Sequence, residues 1–311
     1  MTTNILKKVE KDCGKFHSCQ MCEVNETCKL DHDAHSKWLI KKRMSDIRYK
    51  ILVGSNKGGV GKSTVTVNLA FALERMGFKV GLADADLHGP NIPKMLGIEA
   101  VKLRGVEDGI APHSMPTGMK VASLGLMIED INEPIVWRDA VKYEFLIELL
   151  GNMSWGKLDF LIIDLPPGTG NEQITIMDLI PDLDGAVVVS TPQDVALLDA
   201  RKMISFVRER NIPIVGMVEN MSGLICPHCG GEINVLRKGG ALAVGNELSV
   251  PLIGNIPLDS EITMCSDKGT PIVQSHPDSP SAKAFMGVAE KCANFLGIHR
   301  VDLSAIQPPT A

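Results

Sequence analysis

No stretch of this 311-residue sequence approaches the eighteen or so consecutive apolar residues that a membrane-spanning helix requires, which excludes an integral helical membrane protein. Residues Met1 to Lys15 are polar and lysine-bearing and lack an apolar h-region, so no secretory signal and a cytoplasmic location are expected. Nor is there an excess of positive charge. The formal net charge is −5, which argues against nucleic-acid binding by bulk electrostatics. Internal repeats are absent, and residues 301–311 hold two prolines without an amphipathic pattern, as expected of a loose tail. What is present, 44% hydrophobic and 22% charged residues, suits an ordinary soluble globular chain of one large or two modest domains. The charge is uneven: residues 1–50 carry 11 Lys/Arg against 7 Asp/Glu, net +4, which leaves −9 for the remainder.

This asymmetry sets apart residues 1–46, a polar segment with His17, His32 and His35 among its cysteines and no sustained periodicity. The globular body is expected over 47–300, ahead of the tail at 301–311. Strands are predicted at Tyr49–Ser55, Lys79–Asp84, Leu158–Asp164, Ala186–Ser190 and Ile214–Glu219. Helices are predicted at Lys62–Met76, ended by Gly77, and at Val141–Leu150 and Val195–Arg210. The strands are continuously apolar, as in a parallel sheet covered on both faces, so the fold expected is doubly wound α/β.

Between the first strand and the first helix lies Lys57-Gly58-Gly59-Val60-Gly61-Lys62-Ser63-Thr64. Glycines let consecutive backbone N–H groups turn toward phosphates, and the helix N-terminus adds its positive end. Lys62 would reach the β/γ oxygens, and the Ser63 hydroxyl would complete a magnesium shell. The usual form has glycine where this chain has Asn56, a residue tolerant of left-handed backbone angles. A glycine-rich turn that binds nothing is the alternative, and the strand–loop–helix context disfavours it. The apolar run Leu161-Ile162-Ile163 ends on Asp164, which suits it to hold Mg²⁺ through water. Asp84 and Asp86 follow another strand, and all three carboxylates should converge at the carboxyl ends of the sheet. Asp86 is the candidate to position or deprotonate the attacking water, with Asp84 nearer the metal. A lone Asp-x-Asp is otherwise an ordinary solvated turn.

With its additional Lys57, the loop resembles the deviant Walker A loop of the MinD/ParA/nitrogenase-iron-protein class. That resemblance implies a homodimer in which this lysine reaches the partner's nucleotide. More specifically, Gly58–Thr64, the run Asp84–Pro93, Asp164-Leu165-Pro166-Pro167-Gly168-Thr169-Gly170, Glu219-Asn220-Met221-Ser222-Gly223 and Cys226-Pro227-His228-Cys229 together resemble the Mrp/ApbC iron–sulfur carrier ATPases. The eukaryotic relatives of these are cytosolic nucleotide-binding scaffold proteins. The similarity spans roughly 47–297. It implies an ATP-dependent homodimer holding a transferable 4Fe–4S cluster, with Asn220 reading the adenine edge and Pro257 beside the base. Two departures are Asn171, where the family usually has aspartate, and Asp139-Ala140 after Arg138, where Gly-Pro is common.

Eight cysteines in an unsecreted chain are not expected to form a disulfide framework. Cys292 continues a helical apolar stripe and reads as core; Cys265 also stands alone. Cys226 and Cys229 supply two thiolates where a 4Fe–4S cluster or a structural zinc takes about four protein ligands. With no second CxxC in the body, a cluster shared across a two-fold axis satisfies the count, and zinc is the alternative. Cys13, Cys19, Cys22 and Cys28 could form a self-contained site. Cys19, Cys22 and Cys28 resemble the N-terminal cluster motif of the eukaryotic scaffold branch, whereas Cys13 sits closer than that branch's first cysteine. Zinc with His17 or His32, or a tail with incidental thiols, are the other readings.

The expectation is therefore a slow, switch-type ATP hydrolase that binds ATP and Mg²⁺ and delivers 4Fe–4S clusters to apoprotein clients, without membrane or nucleic-acid partners. The rivals are a MinD/ParA-like positioning ATPase with structural zinc, and an electron-transfer ATPase like the nitrogenase iron protein. The first lacks a basic amphipathic anchor or DNA-binding stripe. The second uses widely separated single cysteines rather than a close pair.

Overall fold

Alternate residues of the central strands are apolar on both faces, and the fold follows from covering both. In the strand Leu158–Asp164, Leu161 and Ile163 point into one hydrophobic layer while Phe160 and Ile162 point into the other. A continuous apolar run of this kind is stable only between two helical layers. The computed structural model describes residues 17–19, 22, 23, 28, 31–128, 139–225, 229, 231–233 and 235–298.

In chain order, helix α1 (His32–Ser45) precedes β1 (Ile47–Gly54), α2 (Lys62–Arg75), β2 (Val80–Asp84) and the short α3 (Ile92–Met95). Four short strands follow: β3 (Arg104–Val106), β4 (Gly109–Ala111), β5 (His113–Ser114) and β6 (Lys120–Ser123). Helix α4 (Asp139–Ile147) runs into a wider π turn at Glu148–Asn152 before β7 (Leu158–Asp164). Next come α5 (Asn171–Leu179), β8 (Gly185–Ser190), α6 (Asp194–Glu209) and β9 (Ile214–Glu219). The chain then makes a small hairpin, β10 (Leu224–Ile225) with β11 (Glu232–Ile233). Helix α7 (Gly240–Leu248), β12 (Leu252–Asn255), α8 (Ser260–Asp267), α9 (Ile272–Ser275) and α10 (Pro280–Phe295) complete it.

The main sheet has the order β12-β9-β8-β1-β7-β2-β6-β5, parallel throughout except for β5 against β6. Met203 and Ile204 of α6, Ile176 of α5 and Leu149 and Leu150 of the π turn cover one face. Leu69 and Leu73 of α2 and Phe285 and Val288 of α10 cover the other. This is the doubly wound, mainly parallel α/β architecture. The predicted elements agree with those observed to within one or two residues, except that the predicted helix Val141–Leu150 corresponds to α4 and its π continuation. Cys292 lies in the α10 core, where burial pushes its thiol up to about 12.

One expectation needs correction. The body does not start at residue 47, because α1 is already part of it. Trp38, Leu39, Ile40 and Met44 are buried, and Ile40 packs beside Gly151 of the π turn. Asp31 caps this helix by accepting from the N–H groups of Asp33 and Ala34.

Candidate nucleotide and cysteine site

The carboxyl ends of β1, β7 and β2 lie side by side, with Val53 in register with Asp164, and Asp164 in register with Asp84. The loop after β1 turns at Gly59 and Gly61, both at φ +81°, and α2 begins at Lys62. Its first turn has no side-chain cap and no acidic residue, so its N–H groups are left for an anion. A Cβ at Gly58 or Gly59 would meet no protein atom within 4 Å, so this backbone is open to a phosphate. At Gly61 the packing is the reverse: a Cβ there would stand 2.1 Å from Nδ2 of Asn220. That amide donates to the Val60 carbonyl at 2.9 Å, tying β9 to the loop.

Lys62 Nζ lies 2.6 Å from Asp164 Oδ2 and 3.6 Å from Asp86 Oδ2. The Ser63 hydroxyl donates to the same Asp164 oxygen at 2.6 Å, and Thr66 donates to the other at 2.5 Å. Thr66 was not singled out from sequence, because a threonine one turn into a helix carries no motif. Its hydroxyl fixes the Asp164 carboxylate plane. Ser123 of β6 plays the same part for Asp84, donating at 2.8 Å. Burial, and then the charge of Asp164, pushes the Asp84 carboxyl up to about 8. Burial also raises Asp86, against the pull of Lys62, and its Oδ1 is buried without a hydrogen-bond partner. Three carboxylates around one ammonium thus leave an excess of acceptors, and an orphaned buried oxygen among them suits a hydrated divalent cation.

Lys57 is exposed, and Thr64 lies in the first turn of α2. Asn56 does not use left-handed freedom. Its φ is negative, and its amide donates to Asp199 of α6 at 3.0 Å, so α6 anchors the loop where a glycine is usual. Asn171 is exposed at the start of α5; the turn before it is held by Gln173, which accepts from Gly170 N–H and donates to the Pro166 and Pro167 carbonyls. Pro257 is half-buried. The bonds from Ser222 N–H to Ile256 and from Leu258 N–H to Gly223 bring it beside the Asn220–Gly223 turn.

Glu219, present in the sequence reading only as part of a motif run, was given no role there. Fully buried at the end of β9, it accepts from Ser222 Oγ at 2.5 Å, Gly239 N–H at 2.9 Å and Ala241 N–H at 2.7 Å. Met221, at φ +56°, turns the chain so that Ser222 returns to it. The two feet of the cysteine hairpin therefore rest on one carboxylate. Cys229 is exposed in the connection between β10 and β11, whereas Cys226 falls outside the described residues. An open cavity of about 540 Å³ separates the hairpin's base (Val235, Leu236, Arg237) from Lys57 and the start of α6.

Cys19, Cys22 and Cys28 are half-buried, and Cys13 falls outside the described residues. The Cys22 N–H donates to the Cys19 carbonyl at 3.1 Å, a turn that suits two ligands of one site. This segment is tied to the body through Ser18 N–H to Asn152 Oδ1 and through His35 Nε2 to the His17 carbonyl. The His17 ring contacts the Ser18 carbonyl through Nδ1, and His32 is exposed at the start of α1. No helix among the described residues is long and apolar enough to cross a membrane.

Comparison with known proteins shows the family. The profile of the ParA family, described as NUBPL iron-transfer P-loop NTPase, matches residues 46–293. An iron–sulfur cluster carrier protein of Methanococcus maripaludis is 47% identical over 265 residues, covering 85% of this chain and 91% of its own. The cytosolic Fe–S cluster assembly factor NBP35 of Kluyveromyces lactis is 39% identical over 297 residues, covering 92% of this chain and 90% of its own. Among solved structures, a nucleotide-binding protein from Archaeoglobus fulgidus in complex with ADP superposes with a TM-score of 0.69 at 35% identity, covering 80% of this chain and 96% of that one. The septum site-determining protein MinD of Pyrococcus horikoshii with Mg-ADP gives 0.61 at 27% identity, covering 82% and 99%.

Proposed function

This chain belongs to the ParA-type NUBPL iron-transfer P-loop NTPases, and from that premise we propose how its residues serve an ATP-dependent iron–sulfur carrier. The observation that carries the reading is the placement of the Cys229-bearing hairpin on the strand whose next residue, Asn220, touches the phosphate loop. Nucleotide and thiolates are thus served by one structural element. Relatives named as an iron–sulfur cluster carrier and as an Fe–S cluster assembly factor, similar over more than four-fifths of this chain, support the same activity.

In this reading the loop Gly58–Thr64 cradles the triphosphate. Lys62 leaves Asp164 for the β/γ oxygens, and Lys57 reaches a partner subunit's nucleotide. Ser63, Asp84 and Asp164 would hold Mg²⁺, which neutralises phosphate charge when bound. Asp86, beside Lys62, orients the attacking water. Asn220 and Pro257 bracket the base. Hydrolysis is slow and biases a conformational equilibrium rather than processing a metabolite. Cys226 and Cys229 supply two thiolates, and a second copy of the chain supplies the other two. Exposed Val195 and Val235, which line the Lys57 cavity, and exposed Leu198 three residues along α6 support that face as the contact between copies. Cys13, Cys19, Cys22 and Cys28 form a second, self-contained site, with zinc as the competing occupant there. Clients are iron–sulfur apoproteins in the cytoplasm, the compartment for which the Kluyveromyces relative is named.

Anaerobic iron and sulfide analysis with visible spectra tests this on the wild type, the Cys226→Ala/Cys229→Ala variant and the Cys19→Ala/Cys22→Ala variant. Each double variant should lose its own share of iron and sulfide. Cluster content unchanged in the first variant removes the bridging site, and zinc without sulfide replaces the carrier reading.

A further inference from the structure

Glu219 occupies a position that neither phosphate chemistry nor metal ligation explains. A fully buried carboxylate with no cationic partner among the described residues is costly unless its oxygens are satisfied, and this one is satisfied by three donors. Two of them, Gly239 and Ala241, open helix α7, whose N-cap glycine has no side chain to offer. Glu219 therefore caps that helix from outside and gains from its positive end. The third donor, Ser222, precedes β10 by two residues. Everything between Ser222 and Gly239, including both cysteines, is an excursion whose ends meet on this side chain.

On the other side, Asn220 is bonded to Val60 and packed so closely on Gly61 that a single added carbon would collide with it. Met221, between Asn220 and Ser222, is held left-handed at φ +56°, a conformation disfavoured for a methionine by roughly 1–2 kcal/mol. Such a turn persists when neighbouring bonds over-determine it, and both neighbours here are so bonded. A shift of Asn220 when a nucleotide enters has little slack to absorb it before it reaches Ser222.

We infer that Glu219 is the positioning residue that transmits nucleotide occupancy to the cysteine hairpin, by clamping both feet of the hairpin to the strand that carries Asn220. The inference rests on the reading of Asn220 as a nucleotide contact, but not on what metal the cysteines hold. Removing the negative charge while keeping the shape, as in Glu219→Gln, places an amide N–H₂ against either the Ala241 or the Gly239 N–H and so weakens the α7-side foot. Ser222→Ala frees only the hairpin-side foot and leaves the α7 cap intact.

Hydrogen–deuterium exchange on the full-length, metal-free protein, with and without Mg-ADP, reads this directly. In the wild type, Mg-ADP should slow exchange several-fold both in the phosphate loop and in residues 224–238. In Glu219→Gln the phosphate loop should still respond while the hairpin's response falls to near zero. Loss of a helix cap alone would instead raise hairpin exchange equally with and without nucleotide, leaving their ratio as in the wild type; that result overturns the inference. So does a wild-type hairpin indifferent to Mg-ADP. Should Glu219→Gln fail to fold, Ser222→Ala is expected to show the same uncoupling, and a wild-type ratio in that variant overturns the proposal equally. Because no cluster is needed, these outcomes are independent of the iron and sulfide analysis.

Discussion

At the scale of single residues, the site gives up stability at neutral pH to keep its carboxylates together. Asp84 is buried beside Asp164, and its carboxyl is raised to about 8. A carboxyl raised on folding contributes stability that is complete below the unfolded value near 4 and is lost as pH rises toward 8. Asp84→Asn removes that loss. The metal-free variant should melt higher than the wild type at pH 7.5, by a margin that widens between about pH 4 and pH 8, while ATP hydrolysis falls to background. A melting series across pH together with a phosphate-release assay checks both, and an Asp84→Asn variant less stable at every pH refutes the account of the site's charge. Gly61→Ala is predicted to fail differently. Alanine at φ +81° is strained by about 1–2 kcal/mol, and its methyl displaces Asn220. Nucleotide affinity should fall at least tenfold in a titration with a fluorescent ADP analogue, with far-UV circular dichroism unchanged.

At the scale of elements, legibility followed periodicity and length. Strands β2, β7, β8 and β9 are five to seven residues of mostly apolar sequence, and β1 ends in the apolar run Ile51–Val53, so each was readable. The phosphate loop was readable because glycine, lysine and serine spacing encodes its chemistry. Helix α1 was not. Its buried residues are diluted by histidines and lysines, and mean hydropathy over it is low, so the stripe vanishes among charges. Ile40 is nonetheless completely buried, and Ile40→Ala should cost about 2–5 kcal/mol in urea unfolding. A change within experimental error would show α1 to be dispensable. The hairpin β10–β11, with two residues per strand, lies below the length at which alternation can be recognised. The role of Glu219 was invisible for another reason: its partners are two backbone N–H groups and one hydroxyl some twenty residues apart, and no side-chain pattern records backbone donors.

At the scale of the molecule, a deep core supports a shallow, open site. Both faces of the sheet are sealed by helices, whereas Lys57, Val195 and Val235 stand exposed around the Lys57 cavity, with exposed Leu198 three residues along α6 from Val195. Apolar side chains left open in this way are the surface expected if, as proposed, the chain completes its cysteine site with a second copy. Leu198→Asp should weaken the Mg-ATP-dependent dimer at least tenfold in sedimentation while leaving the monomer's melting temperature within a few degrees. The most direct test of the central claim is multi-angle light scattering on anaerobically reconstituted protein, with iron and sulfide counted on the same fractions after Cys13, Cys19, Cys22 and Cys28 are changed to alanine. The account predicts a dimer carrying half a 4Fe–4S cluster per chain, with iron and mass falling together when Cys226 and Cys229 are removed. A monomer that retains a full cluster on those two cysteines would contradict it.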